Sequence, residues 1–166
     1  MGIETVRHTL IVDAGGDLFA IHDPDGTYPQ RSRQGWATVV NAHDSASDLD
    51  RPGVDRLNIG LPRARFRALV DPAAEHDLTA LDVLLPHPVY AGYHWVCVLN
   101  PERTWPAVRQ LLAEAHAFAV RKHDNAARRR SHRRRRRRCR SRSSLPAHPR
   151  RASRATPTSS IRCSSR

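Results

Sequence analysis

Acidic residues are missing from the last part of this 166-residue chain: none follows Asp124, where arginine crowds the sequence. Lysine occurs once, as Lys122. The three cysteines, Cys97, Cys139 and Cys163, are spaced for neither a zinc site nor a disulfide framework. Cys97 sits in an apolar run, where a buried inert thiol is expected. Long hydrophobic runs are absent too. Leu10-Ile11-Val12 is too short for a secretory core, and no stretch approaches the ~20 residues of a membrane span. A reducing cytoplasm is the expected compartment, without membrane contact. Nor does the chain contain a glycine-rich phosphate loop, a G-x-S-x-G elbow, an H-E-x-x-H helix or a C-x-x-C pair. The chemistries those motifs carry are therefore not indicated, and neither a cofactor nor a metal is expected.

The net charge of +12 conceals two objects. Residues 1–127 hold 12 basic residues and all 16 acids, a net charge of −4. Residues 128–166 hold 16 arginines and no acid. A domain that binds nucleic acid through its fold spreads basic charge over its surface, and this body does not. At 127 residues the body is long enough for one hydrophobic core. The extension has only Leu145 and Ile161 as large apolar residues and is expected to be disordered. Arg, Ser, Pro, Ala and His without acids is also what GC-rich DNA yields out of frame, so 128–166 reads as appended. Such a run still binds polyanions by counterion release, with Arg133, Arg134, Arg135, Arg136, Arg137 and Arg138 the contacts to expect.

Within the body, Ile3, Val6 and Leu10 have helical spacing, predicting a short helix over 3–12 that Ala14-Gly15-Gly16 breaks. DLFAIH (17–22) reads as a strand closed by the turn Asp23-Pro24-Asp25-Gly26, whose likeness to a calcium loop lacks the later ligands. WATVVN (36–41) is β-branched and strand-like. In VDRLNIG (54–60), Leu57 and Ile59 face one way and Arg56 and Asn58 the other, which suits a half-buried antiparallel strand. Pro62 suits the first position of a helix carrying Phe66, Leu69 and Val70. Leucine-rich Asp77–Leu85 predicts another helical turn or two, and Pro86-His87-Pro88 an irregular crossover. HWVCVL (94–99) is apolar on both faces and is placed centrally in the sheet. Thr104 is the expected cap of a last helix whose stripe is Val108, Leu111, Leu112, Ala115, Phe118 and Ala119. The fold class is α+β: a single domain with an antiparallel sheet, helices packed on one face and a long C-terminal helix.

The ASDLDRPG loop, the RLNIG strand, the ALDVLLPHPVY segment and the WVCVLNP strand resemble, in the same order, a family of small bacterial proteins known as domain of unknown function 6194. The resemblance covers about residues 3–127. More distantly, a WV strand before a long C-terminal helix is similar to the MmcQ/YjbR-like α+β fold, some members of which have been suggested to bind DNA. Two departures stand out: a shorter segment before DLFAIH, and Asp55 where the family usually has an aromatic or apolar residue. The arginine run lies outside the family pattern. The resemblance implies a fold and no activity.

Two clusters carry candidate chemistry. His87, held between prolines, lies near Tyr90, Tyr93, His94 and Trp95 in sequence. This mix suits a pocket with a titratable group and aromatic walls, or a rigid crossover with packing aromatics. His43 and His76 lie in loops that nothing places near it. Asp50 and Arg51, in Asp48-Leu49-Asp50-Arg51, suit a grip on a polar ligand, or ion pairs that fix a loop entry together with Arg56. The expected function is a small-molecule or protein-binding module. The alternatives are non-specific nucleic-acid binding through the arginine run, and an enzyme centred on His87 and His94.

Overall fold

The computed structural model describes residues 7–31, 35–41 and 46–143, with side chains described as far as residue 135. Six strands form one antiparallel sheet in the order β1-β2-β3-β4-β6-β5. They are β1 Thr9–Ala14, β2 Asp17–His22, β3 Ala37–Val40, β4 Arg56–Gly60, β5 Leu85–Pro86 and β6 Trp95–Leu99. Helix α1 spans Arg63–Leu69 and helix α2 spans Trp105–Ser143. The expected α+β class, antiparallel sheet and long C-terminal helix are all present.

In the segment predicted to open as a helix, residues 7–8 form a turn and 9–12 belong to strand β1, and residues 3–6 lie outside the described residues. Three apolar residues at helical spacing were a weak signal beside Gly15-Gly16. Both glycines have positive φ, 72° and 95°, between the paired Ala14 and Asp17. A two-residue turn of that kind matches the twist of a hairpin and sets its register. Ile11, opposite Ala20, then packs against the core.

One face of the sheet is apolar. Ala20, Ala37, Leu57, Ile59, Val96 and Val98 pack against Phe66 of α1 and Val108, Leu111, Leu112 and Ala115 of α2. Each fully buried Leu or Phe in such a layer contributes roughly 1.5–3 kcal/mol. Phe118 and Ala119 continue the stripe half-buried. Pro62, expected at the first helical position, stands at the N-cap of α1, and the helix begins one residue later at Arg63.

Three local expectations are corrected. Asp77–Leu85 makes turns, a bridge from Leu81 to Leu99 and the start of β5, with no helix. The Asp77 carboxylate accepts hydrogen bonds from the Thr79 amide and hydroxyl, a local competitor to helix formation. Pro86 belongs to the short edge strand β5, where a missing N–H is tolerated. β6 is penultimate in the sheet rather than central, its outer side covered by β5.

Thr104 precedes α2 and its carbonyl accepts from Val108, but its hydroxyl does not cap the helix. That hydroxyl donates to Asp82 Oδ1 at 2.6 Å. The same carboxylate accepts the amides of Glu102, Arg103 and Thr104 at 2.9–3.0 Å. Asp82 can do this because it adopts the left-handed conformation, φ 57°. The Thr104 hydroxyl and amide hold its carboxyl well below the usual carboxylate range.

α2 continues through Arg128–Ser143, sixteen residues of the stretch whose composition predicts disorder. Arginine is a good helix former, and adding residues to an existing helix avoids the cost of nucleation. Residues 144–166 of that stretch lie outside the described residues.

Candidate functional site

The other face of the sheet carries the chemistry. Side chains of alternate residues emerge there: Asp17 and Phe19 from β2, Thr38 and Val40 from β3, Arg56 and Asn58 from β4, and Trp95 from β6. The registers that pair Phe19 with Thr38, Thr38 with Asn58 and Arg56 with Val40 align them in rows. With His87, Val89, Tyr90 and Tyr93 from the segment after β5, they line a cleft of about 680 Å³. Volumes of about 300–1,000 Å³ are typical of small-molecule sites.

The floor is polar and buried. Arg56 is 3 % exposed and Asn58 1 %, so β4 is buried on both faces rather than half-buried as its alternation suggested. The loop before β4 is one reason: Leu49, Val54, Leu99 and Val40 form a small second core. Ser47, fully buried in the same loop, accepts from Arg56 Nη1 at 2.8 Å. Arg56 Nε donates to Asn58 Oδ1 at 2.9 Å, and Asn58 Nδ2 donates to Thr38 Oγ1 at 2.9 Å.

The walls are aromatic. Trp95 lies across from Gly60, and a Cβ at Gly60 would stand 3.0 Å from the indole ring. Glycine at the end of RLNIG therefore lets the indole lie over β4. Tyr90 and Tyr93 are half or more exposed at the mouth, Tyr93 at 73 %.

His87 is 4 % exposed. Its Nδ1 accepts from the amides of Val89 and Tyr90, each at 3.1 Å, and its ring leans on Tyr90 with centroids 4.8 Å apart. Two donors on Nδ1 require a lone pair there, so a neutral ring carries its proton on Nε2. His87 is therefore both a backbone-anchored element of the crossover and part of the cleft wall. With its Nδ1 lone pair already engaged, that atom is poorly suited to act as a general base.

The remaining candidates lie elsewhere. The ring of His94 packs on Phe66, at 5.7 Å, and is absent from the cleft lining. Asp50 is exposed and also outside the lining. Arg51 holds loops together: it donates to the carbonyls of Ser47, Asp48 and Thr79 and pairs with Asp48 at 3.3 Å. His76 contacts the Asp71 carbonyl, and His43 lies outside the described residues. Arg133, Arg134 and Arg135 are exposed on α2, and the side chains of Arg136, Arg137 and Arg138 lie outside the described residues. Asp55 precedes β4, exposed, with its backbone bonded to Asn100, so a charge is accommodated there. Asp23 caps its own turn by accepting from Thr27 and Tyr28.

Sequence reasoning missed Phe19, Thr38, Arg56 and Asn58 as cleft residues. The polar member of each strand pair was visible, but nothing local says that a loop will cover it. It also missed a second cluster, where His22 packs edge-on against His116 and His123 (5.3 and 5.6 Å between centroids) beside Trp36. Burial pushes the His116 imidazole below its ordinary pKa, the carbonyl side of Arg7 opposes this, and His8 adds to it. No group of three or more His, Cys, Asp or Glu among the described residues is arranged to hold a metal ion. No helix among them is long and apolar enough to cross a membrane.

The sequence pattern of a family of unknown function, DUF6194, matches residues 2–136. The match passes Ala127, so the start of the arginine run falls within the family pattern, contrary to expectation. No curated protein and no solved structure matches the chain, which leaves the likeness to the MmcQ/YjbR-like fold without support.

Proposed function

This chain belongs to the DUF6194 family, whose description states no activity, and from its own geometry we propose that it is a small-molecule-binding module with its ligand in the cleft on the sheet face opposite α2. The observation that carries the reading is a buried Arg56–Asn58–Thr38 network under an open, aromatic-walled concavity. Buried polar side chains cost stability unless satisfied, and an apolar core is the cheaper way to fill a sheet face. Polar groups converging below apolar walls are the usual composition of a ligand site. The buried Cys97 thiol, which donates to the Pro86 carbonyl at 3.7 Å, is compatible with a reducing, cytoplasmic setting.

A fragment screen read by amide and indole NMR shifts tests the proposal. Hits should move the Trp95 indole together with the amides of Thr38, Asn58, Val89 and Tyr90. A screen whose hits leave those signals in place would remove the reading.

Nucleic-acid binding is the second reading, favoured by the exposed arginines at 128–130 and 133–135 on helix α2. Contacts of this kind would be to phosphates and without sequence preference. An enzyme centred on His87 and His94 is less well supported, because the two rings do not share the cleft.

A further inference from the structure

The polarity of the hydrogen bonds on the cleft floor constrains the chemical class of the ligand; the inference rests on reading the cleft as a binding site. A guanidinium has donors and no acceptor. Since Arg56 Nε lies 2.9 Å from the Asn58 amide, the atom facing it is Oδ1. The opposite atom of that amide is then Nδ2, which faces Thr38 Oγ1 at 2.9 Å, so Thr38 accepts. The chain of donation runs Arg56 to Asn58 to Thr38 and stops there. Thr38 still has its own O–H proton, and the Asn58 amide a second N–H. Neither finds an acceptor among the described residues, and both side chains line the cleft.

We propose that the cleft recognises a hydrogen-bond acceptor, a carboxylate or carbonyl oxygen, carried on an apolar or aromatic body. The oxygen takes the Thr38 hydroxyl and the Asn58 amide as donors. The body packs among Phe19, Trp95 and Tyr90. Asp17, at the β2 side of the lining, is the group that a cationic ligand would need instead, so the proposal has a definite competitor.

The test titrates the full chain with 1-naphthoate, 1-naphthamide and 1-naphthylmethylammonium, following the Trp95 indole signal. These probes share one ring system and differ in the polar group. The two carbonyl-bearing probes should bind about ten-fold or more tightly than the ammonium, and whichever of the two is tighter separates carboxylate from neutral carbonyl. Thr38→Val, which keeps the shape and removes the hydroxyl, should weaken the carbonyl-bearing probes at least several-fold more than the ammonium. An ammonium that binds as well as or better than naphthoate would overturn the acceptor assignment and point to Asp17, with the cleft still standing as the site. Equal weakening of all three probes by Thr38→Val would also overturn it. If none of the three moves the Trp95 signal, the cleft reading falls together with this inference.

Discussion

Replacing Asn58 by leucine should destabilise the fold through Arg56 rather than through Asn58 itself. Asn58 is 1 % exposed, and its Oδ1 is an acceptor for a guanidinium N–H buried with it. Leucine keeps the γ-branch of asparagine and is bulkier, so no cavity forms and any overpacking at this buried site adds to the cost. The loss is a hydrogen bond to a charged group, about 1.5–3 kcal/mol, with the donor left in a site that water reaches poorly. The bond to Thr38 adds less, because Thr38 is only half-buried and water can replace it. A total near ~2–3 kcal/mol follows, which for a body of this size lowers Tm by about 6–15 °C. Chemical denaturation with the slope held constant measures the difference directly. Thr38→Val, removing a neutral and partly solvated partner, should cost under ~1 kcal/mol. Two outcomes would refute the reasoning: an Asn58→Leu change within ~0.5 kcal/mol of the parent, or a Thr38→Val change of equal size.

Other expectations test other parts of the structure. Leu112→Ala, in the α2 stripe against the sheet, should cost ~2–5 kcal/mol in urea unfolding; a surface-like value would mean the helix face is misassigned. Asp82 has a folded-state pKa below its unfolded one, so its stabilisation is present above about pH 4 and is lost as pH falls through the folded value. Thermal melts across pH 2–6 should therefore show a shallower acid limb for Asp82→Asn. His116 also has a lowered folded pKa, so the unfolded chain binds the proton first and stability should fall as pH drops below about 6.5. In the pH 5–8 range, with His8, His22, His123 and the Asp25 and Asp124 carboxylates left in place, His116→Phe should flatten that slope. DNA or RNA binding by the full chain should weaken steeply with salt and ignore sequence, while the fragment 1–127, at net −4, should show none at physiological salt. Specific binding retained by the fragment would place a nucleic-acid surface on the body.

Helix α2 was legible because its signal is local and long: six apolar residues at one spacing over three turns leave no competing pattern. Strands β2, β3, β4 and β6 were legible for the same reason, from β-branched or apolar runs bounded by turn residues. The candidate cleft was legible only along one wall, where His87, Tyr90, Tyr93 and Trp95 are neighbours in sequence. Its floor was not. Arg56 and Asn58 look like the wet side of a strand until Ser47 of the preceding loop bonds Arg56 and Asn58 is held between Arg56 and Thr38, and that burial depends on contacts no local pattern encodes. β1 was misread because a hairpin is decided by its partner strand and by two glycines with positive φ, not by the spacing of three apolar residues. The turn that leads into α2 is fixed by Asp82, about twenty residues upstream, which only the closed chain brings to the helix end. The sequence by itself determined strands β2, β3, β4 and β6, the two helices, the charge division at residue 127 and the class of the fold. The tertiary structure decided which polar residues lost their water, since burial belongs to the packed whole and not to any one segment.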